Sequence, residues 1–380
     1  MSVTHTISDY RESKGKIFGI QILLFCLLLT EFKNCTRQRQ RARWLSGQWD
    51  WIRSVWQQLT GFLAPSRAPS QSTLSRLMAG VDLWALKEQF LKAIRLALQE
   101  KITGGQVFSS LPESLMHYTM DGKSRKGIES QITGRTEIDL AIWSPELNQV
   151  LATHTLHDKE GEATKAASML KALGRSLPSG IFTGDAGFAS PALTSVLVST
   201  GHEYIIGLKG NAGKSYEVAQ NLPWDKAPVL STSFCKGHGR QEERTLKELF
   251  VLPGNKEFFE KYKECCYIYQ LISKTNRDGK ECEDVRYFCA SKGLKSLSSK
   301  QILELIRNHW SQENNLHWVK DVVLHEDNLP VMGNRSSRVL GFLKDIVVSV
   351  GHSMYHSVQK FVDIFDASPE KMTRTLCGIT

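Results

Sequence analysis

The chain has 380 residues, long enough for two or three domains with a sizeable core, so a peptide hormone or a minimal binding module is excluded. Hydrophobic residues at 41% and charged ones at 23% are ordinary globular values and exclude a disordered or collagen-like chain. Lys and Arg (48) exceed Asp and Glu (39) to leave a net charge of +9, which favours a polyanionic partner, nucleic acid or acidic lipid.

Residues 1 to about 104 read as helical. The apolar run Ile17 to Leu29 is interrupted by Gly19 and Gln21 and is shorter than the roughly 20 apolar residues that span a bilayer, so a core helix is expected. Arg37, Arg39, Arg41 and Arg43 precede four tryptophans between Trp44 and Trp56, and on a helix this spacing spreads the guanidinium groups around the axis. Ala64 to Ser72 reads as a loop, with Ser70 or Ser72 capping a helical stretch that runs to Ile102 and breaks near Gly80.

After Gly105 the texture changes. Met116, Tyr118 and Met120 alternate with Leu115, His117 and Thr119 and lead to Asp121-Gly122, as in a strand ending on an acid. Glu137 to Trp143 and Gln149 to Leu156 complete a three-stranded meander. A helix over Glu162 to Leu173 follows, then a strand from Gly180 to Thr183 that ends on a second acid, Asp185. Pro191 opens a helix, and Tyr204 to Leu208 is the next strand. The order βββ-α-β-α-β implies an α/β fold with a mixed sheet and helices packed on it. Residues 210–295 read as a β-rich insertion. Helical texture returns at Ser298, where Ser298 and Gln301 fit a capping box, and continues to about Val323.

On that last helix Ile302, Ile306, His309, Glu313, His317 and Lys320 advance by three or four residues and share one face. A carboxylate on a stripe that begins apolar is costly unless it is paired or bound to metal. A salt bridge from Glu313 to Arg307 or Lys320 is one reading. The other joins Glu313 to Asp121 and Asp185, three oxygen ligands of the kind that hold Mg²⁺ or Mn²⁺, two of which can activate a nucleophile and steady the leaving oxygen of a phosphodiester.

The strings YTMDGKSRKG (118–127), FTGDAGF (182–188), YIIGLKGN (204–211), HGRQEER (238–244) and HWSQENNLHWVKDVVLHED (309–327) resemble the H-repeat-associated group of bacterial insertion-sequence transposases, within the DDE transposases. The resemblance runs from about residue 20 to 350. It implies an RNase H-like catalytic core interrupted by the insertion, with Asp121, Asp185 and Glu313 as catalytic and metal-binding residues and two Mg²⁺ or Mn²⁺ ions as cofactors. It also implies a DNA transposase that performs metal-dependent phosphodiester hydrolysis and transesterification on double-stranded DNA, at terminal inverted repeats and at the target. A homodimer in a synaptic complex, a cytoplasmic, nucleoid-associated location and no membrane contact go with that reading.

The expected organisation is an N-terminal helical region for DNA binding and assembly (1–104), a first catalytic part (105–209), the insertion (210–295), a second catalytic part carrying Glu313 (296–350) and a C-terminal tail (351–380). Lys123, Arg125 and Lys126 follow the first acid, Lys209 lies just before the insertion and Arg240 within it, and Arg307, His309 and Lys320 surround Glu313. All eight are expected DNA contacts. Gln312 departs from the aliphatic residue usual in the family. The alternatives are a catalytically inactive relic that only binds DNA and, in another class, a P-loop NTPase built on Lys214. The latter fails on spacing, because Leu208 stands where the phosphate loop needs its first glycine. Trp310 and Trp318 read as core residues in preference to stacking platforms. The eight cysteines form no CxxC pair and read as reduced core thiols of a cytosolic protein.

Overall fold

The computed structural model describes residues 9–11, 16–103, 111, 115–129, 136–156, 161–237, 240–251, 258, 260–277, 279–328 and 334–379; the side chains of 97–103, 126–129, 237, 240 and 334 are not among those described. Five helices come first: α1 (Ile20–Phe32), α2 (Gln38–Gly47), α3 (Trp49–Thr60), α4 (Gln71–Gly80) and α5 (Leu83–Thr103). Helix α1 is buried on nearly every side, which accounts for its apolar run from Ile22 to Leu29. Ser70 caps α4 by accepting the Thr73 amide at 3.3 Å.

The strands are β1 (Met116–Glu129), β2 (Thr136–Ser144), β3 (Gln149–Leu156), β4 (Gly180–Gly184), β5 (Glu203–Leu208), β6 (Val229–Gly237), β7 (Arg240–Phe250), β8 (Cys265–Arg277) and β9 (Lys280–Ser291). They form a single sheet of order β3-β2-β1-β4-β5-β9-β8-β7-β6. Pairing is antiparallel from β3 to β1, parallel through β1-β4-β5, and antiparallel again from β5 onward. The first five strands, in the order β3-β2-β1-β4-β5, make a mixed sheet as the sequence implied. The strands of residues 210–295 do not fold apart from it, because β9 pairs with β5 and extends the same sheet. Helices α6 (Glu162–Leu173), α7 (Pro191–Ser199) and α8 (Lys214–Gln220) cover one face. There Met116, Tyr118 and Met120 of β1 pack with Phe182, Leu170 and Leu193.

The other face meets α9 (Ser299–Asn308), which begins at a complete capping box of Ser298 and Gln301. Helical winding continues to Val323 as expected, but not as one α-helix. Two π-helical segments follow, Glu313–His317 and Val319–Val323. Then come α10 (Asn334–Tyr355), α11 (Val358–Ala367) and α12 (Pro369–Cys377). Residues 351–379, expected as a C-terminal tail, are therefore packed as helices. Phe361 and Phe365 of α11 pack edge-on against Phe32 of α1, and one apolar cluster joins α1–α5 to α10–α12. A buried ion triad ties the same parts together, with Glu31 at 2.6 Å from Arg41 and 3.1 Å from Lys344, all three fully buried. Among the described residues no helix is long and apolar enough to cross a membrane. All eight cysteines are free, but Cys235 and Cys282 are exposed where core thiols were expected.

Candidate metal centre

Met120 of β1 pairs in parallel with Gly184 of β4, so the next residues, Asp121 and Asp185, emerge side by side. β1 does not end there as expected. It continues to Glu129 against β2, and Asp121 marks the point where only the parallel partner stops. Each acid is held by a backbone amide: Asp121 Oδ1 accepts from Gly122 at 2.9 Å, and Asp185 Oδ1 accepts from Gly187 at 2.8 Å, capping the turn Ala186–Phe188. Burial pushes the Asp121 carboxyl up to about 6, with Asp185 and Glu313 adding to the rise and His317 opposing it. A fourth carboxylate stands close by. A Cβ on Gly122 would lie 2.8 Å from Glu162 Oε1, and Glu162 is raised by burial and then by Asp121 and Asp185. Glu162 opens α6, where an acid ordinarily reads as a helix-dipole partner, so no local signal singled it out.

Glu313 arrives from the opposite direction. The preceding Gln312 is fully buried and fastens the segment to the sheet. Its Oε1 accepts from Thr119 Oγ1 at 2.6 Å, while its Nε2 donates to Ala141 O at 3.2 Å and Asp121 O at 3.4 Å. The departure from an aliphatic residue is thus a polar anchor with partners for both ends of its amide. In the π turn the Trp318 amide reaches back five residues to Glu313 O. Leu316 and Val319 enter the core, the Glu313 carboxylate stays exposed, and His317 turns inward. His317 Nδ1 lies 3.1 Å from Glu313 Oε2 and 3.4 Å from Asp121 Oδ2. The hydrogen bond from His317 lowers the Glu313 carboxyl below its usual value. One donor atom each from Asp121, Glu313 and His317 lie within 4.8 Å of one another. Two carboxylates and an imidazole, with Asp185 close enough to raise Asp121, fit a divalent cation, which would relieve the crowding of negative charge. Asp185 is not part of the 4.8 Å group.

Beneath Asp185 lies a chain of neutral groups: His117 Nε2 is 2.9 Å from Thr183 Oγ1, which is 3.3 Å from His309 Nδ1. Burial takes His117 down to about 3 and His309 down to about 4, the latter against the pull of Asp185. His309 accordingly sits in the wall behind the acids as an uncharged ring, not as a cationic phosphate contact.

Three expected phosphate contacts are interior in this structure. Lys320 is 3% exposed in its side chain, 2.8 Å from Asp345 and 3.3 Å from Glu326. Lys123 reaches Asp321 at 2.8 Å and Glu326 at 3.1 Å, and Arg125 reaches Asp139 at 2.9 Å and the Ser337 carbonyl at 3.0 Å. A Cβ on Gly341 would collide with the Arg125 guanidinium, so α10 closes over it only through a glycine. The physical reason for Lys320 is the π turn. Seven residues make almost two turns of an α-helix and would return Lys320 to the face of Glu313, whereas the wider π turn carries more residues and rotates it inward. Lys209 and Arg307 are exposed. The side chains of Lys126 and Arg240 lie outside the described residues. Trp310 and Trp318 overturn the core expectation: they are 54% and 53% exposed on either side of Glu313, with the Arg286 guanidinium 5.5 Å from the Trp310 ring centre.

A family model described as the transposase DDE domain matches residues 140–344. YncI of Escherichia coli O157:H7, provisionally named a transposase, is 24% identical over 92% of this chain and 85% of its own length. YhhI of Escherichia coli strain K12, provisionally named an H repeat-associated transposase, is 24% identical over 61% of this chain and 62% of its own. Among solved structures, a piggyBac transposase synaptic complex with hairpin DNA overlaps 98% of this chain and 76% of that one at 10% identity and a TM-score of 0.42, too slight a likeness to carry weight.

Proposed function

Because the chain belongs to the transposase DDE-domain family, whose model covers more than half of it, we propose that it binds the ends of an insertion sequence, cuts there with divalent metal, and joins the freed 3'-hydroxyl to target DNA. The observation that supports this reading is the approach of Asp121, on β1, and Glu313, on the π turn, with Asp185 at the end of β4 close enough to raise Asp121. Asp121 and Glu313 would hold one ion, and Asp185, beside Asp121, would serve a second. Divalent ions bound there supply a nucleophile at neutral pH and charge neutralisation at the leaving oxygen. The protein's part is positional. Gln312 fixes the Glu313 segment against β1, the Gly187 amide holds Asp185, and the buried neutral histidines keep the floor of the site free of competing charge.

Glu313, Trp310 and Trp318 are all exposed, and DNA is expected to approach Glu313 past the two rings. Lys209 and Arg307 are the exposed cations proposed to meet its phosphates. Arg37, Arg39 and Arg43 on and before α2 are also exposed and would serve end recognition. A synaptic homodimer acting in the bacterial cytoplasm completes the proposal. The test is incubation of the purified chain with DNA carrying the element's ends and Mg²⁺ or Mn²⁺. Nicking and joining are expected from the wild type and from none of Asp121→Ala, Asp185→Ala or Glu313→Ala. Equal cleavage by the variants would sink the assignment. Salt-sensitive end binding without cleavage under any metal would instead mark a DNA-binding relic.

A further inference from the structure

The most buried donor of the Asp121, Glu313 and His317 group is one that the acid triad does not include. His317 is 5% exposed, and its Nδ1 faces two carboxylates from different elements, Glu313 on its own π turn and Asp121 on β1. A neutral or charged imidazole carries at most one hydrogen on Nδ1, and that hydrogen can be directed well at only one acceptor. The shorter contact, 3.1 Å, goes to Glu313, which leaves Asp121 at 3.4 Å without a matching hydrogen. A cation shared by all three donors accounts for both approaches. Neighbouring ligands of an octahedral ion with bonds of about 2.1 Å stand about 3 Å apart, and the two nitrogen–oxygen separations already lie within about half an ångström of that value.

We propose that His317 is a direct ligand of the metal ion held by Asp121 and Glu313, and that its nitrogen makes this site select transition-metal ions, Co²⁺ strongly and Mn²⁺ more weakly, over Mg²⁺. The inference rests on the metal-dependent reading above and adds a fourth residue to it. An imidazole nitrogen is a better match for transition metals than for Mg²⁺, which prefers oxygen donors and keeps its waters. The π turn is what permits the arrangement, since it turns His317 inward while leaving Glu313 at the surface. The competing role for His317 is that of a positioning residue, donating a hydrogen bond that orients Glu313 and touching no metal.

Pulsed electron paramagnetic resonance of the Mn²⁺-loaded full chain separates the two. The expected result is ¹⁴N coupling in the wild type that is absent from His317→Gln. In calorimetric titrations the same variant is expected to lose at least about tenfold in Co²⁺ affinity while changing less than about threefold towards Mg²⁺. Absent nitrogen coupling in the wild type, coupling that persists in His317→Gln, or equal losses for Co²⁺ and Mg²⁺ would each overturn the proposal. Mn²⁺ binding that depends on Asp121 and Glu313 but shows no nitrogen coupling removes His317 alone and leaves the metal-dependent reading standing. A wild-type chain that binds no Mn²⁺ at all overturns both.

Discussion

Replacing Lys320 by Met separates a structural lysine from a DNA-contacting one. The Lys320 ammonium lies 2.8 Å from Asp345 and 3.3 Å from Glu326, with side chains that are 3%, 7% and 4% exposed. Removing it strands carboxylates in the interior, and breaking a buried pair in this way costs about 3–5 kcal/mol. Two features place the cost near the lower end. Glu326 keeps Lys123 at 3.1 Å and Arg125 at 3.4 Å, and Asp345 is already pushed upward by burial, so taking up a proton is a cheap escape. A loss of about 3 kcal/mol is expected. Urea unfolding followed by tryptophan fluorescence measures it, and adding Asp345→Leu to Lys320→Met should restore much of it by removing both charges. End-DNA binding across a salt series should keep its slope. The reasoning is refuted if Lys320→Met changes stability by less than about 0.5 kcal/mol while the salt slope drops by about one, the signature of a lost phosphate contact.

Gln312→Leu substitutes an apolar side chain of similar size but leaves the buried Thr119 hydroxyl without its acceptor, so a loss of about 1–3 kcal/mol is expected in the same unfolding assay; an unchanged midpoint would show that Gln312 anchors nothing. Asp121→Asn tests the raised carboxyl in metal-free protein. An acid whose folded pKa of about 6 exceeds its ordinary 3.8 penalises the fold where it is ionised. The penalty is therefore full above about pH 6 and absent below about pH 3.8, and Asn should stabilise at pH 8 and make no difference near pH 3.5. A stabilisation that did not vary with pH would contradict this. Trp310→Ala and Trp318→Ala should each alter unfolding by no more than about 0.5 kcal/mol, as exposed residues do, yet weaken end-DNA binding by about 1–3 kcal/mol if a base stacks on the ring. The reverse pattern would return both to the core.

Much of the fold is legible along the chain. Alternation at Met116, Tyr118 and Met120, the capping box at Ser298 and Gln301, and proline at the start of α7 are local signals, readable because each depends only on neighbours a few residues away. The residue strings around Asp121, Asp185 and Glu313 carried the family resemblance for the same reason, since they are contiguous. What the sequence could not decide was where side chains point once two elements meet. Lys123, Arg125 and Lys320 looked like surface cations because charge near a reactive acid is ambiguous until its burial is known. The tertiary structure gives them Glu326, Asp139 and Asp345 as partners, acids that are distant in sequence from at least one of the cations they serve. Cys235, Cys282, Trp310 and Trp318 went the other way, from expected core to surface. The change from α to π winding at Glu313 decided most of this. An α-helical count of three and four residues placed Glu313, His317 and Lys320 on one face, and the wider turn, fastened by Gln312 to a sheet folded some 190 residues earlier in the chain, sent Lys320 into an ion network and brought His317 against Asp121. That fastening is a contact between segments remote in sequence, and periodicity along one helix carries no record of it.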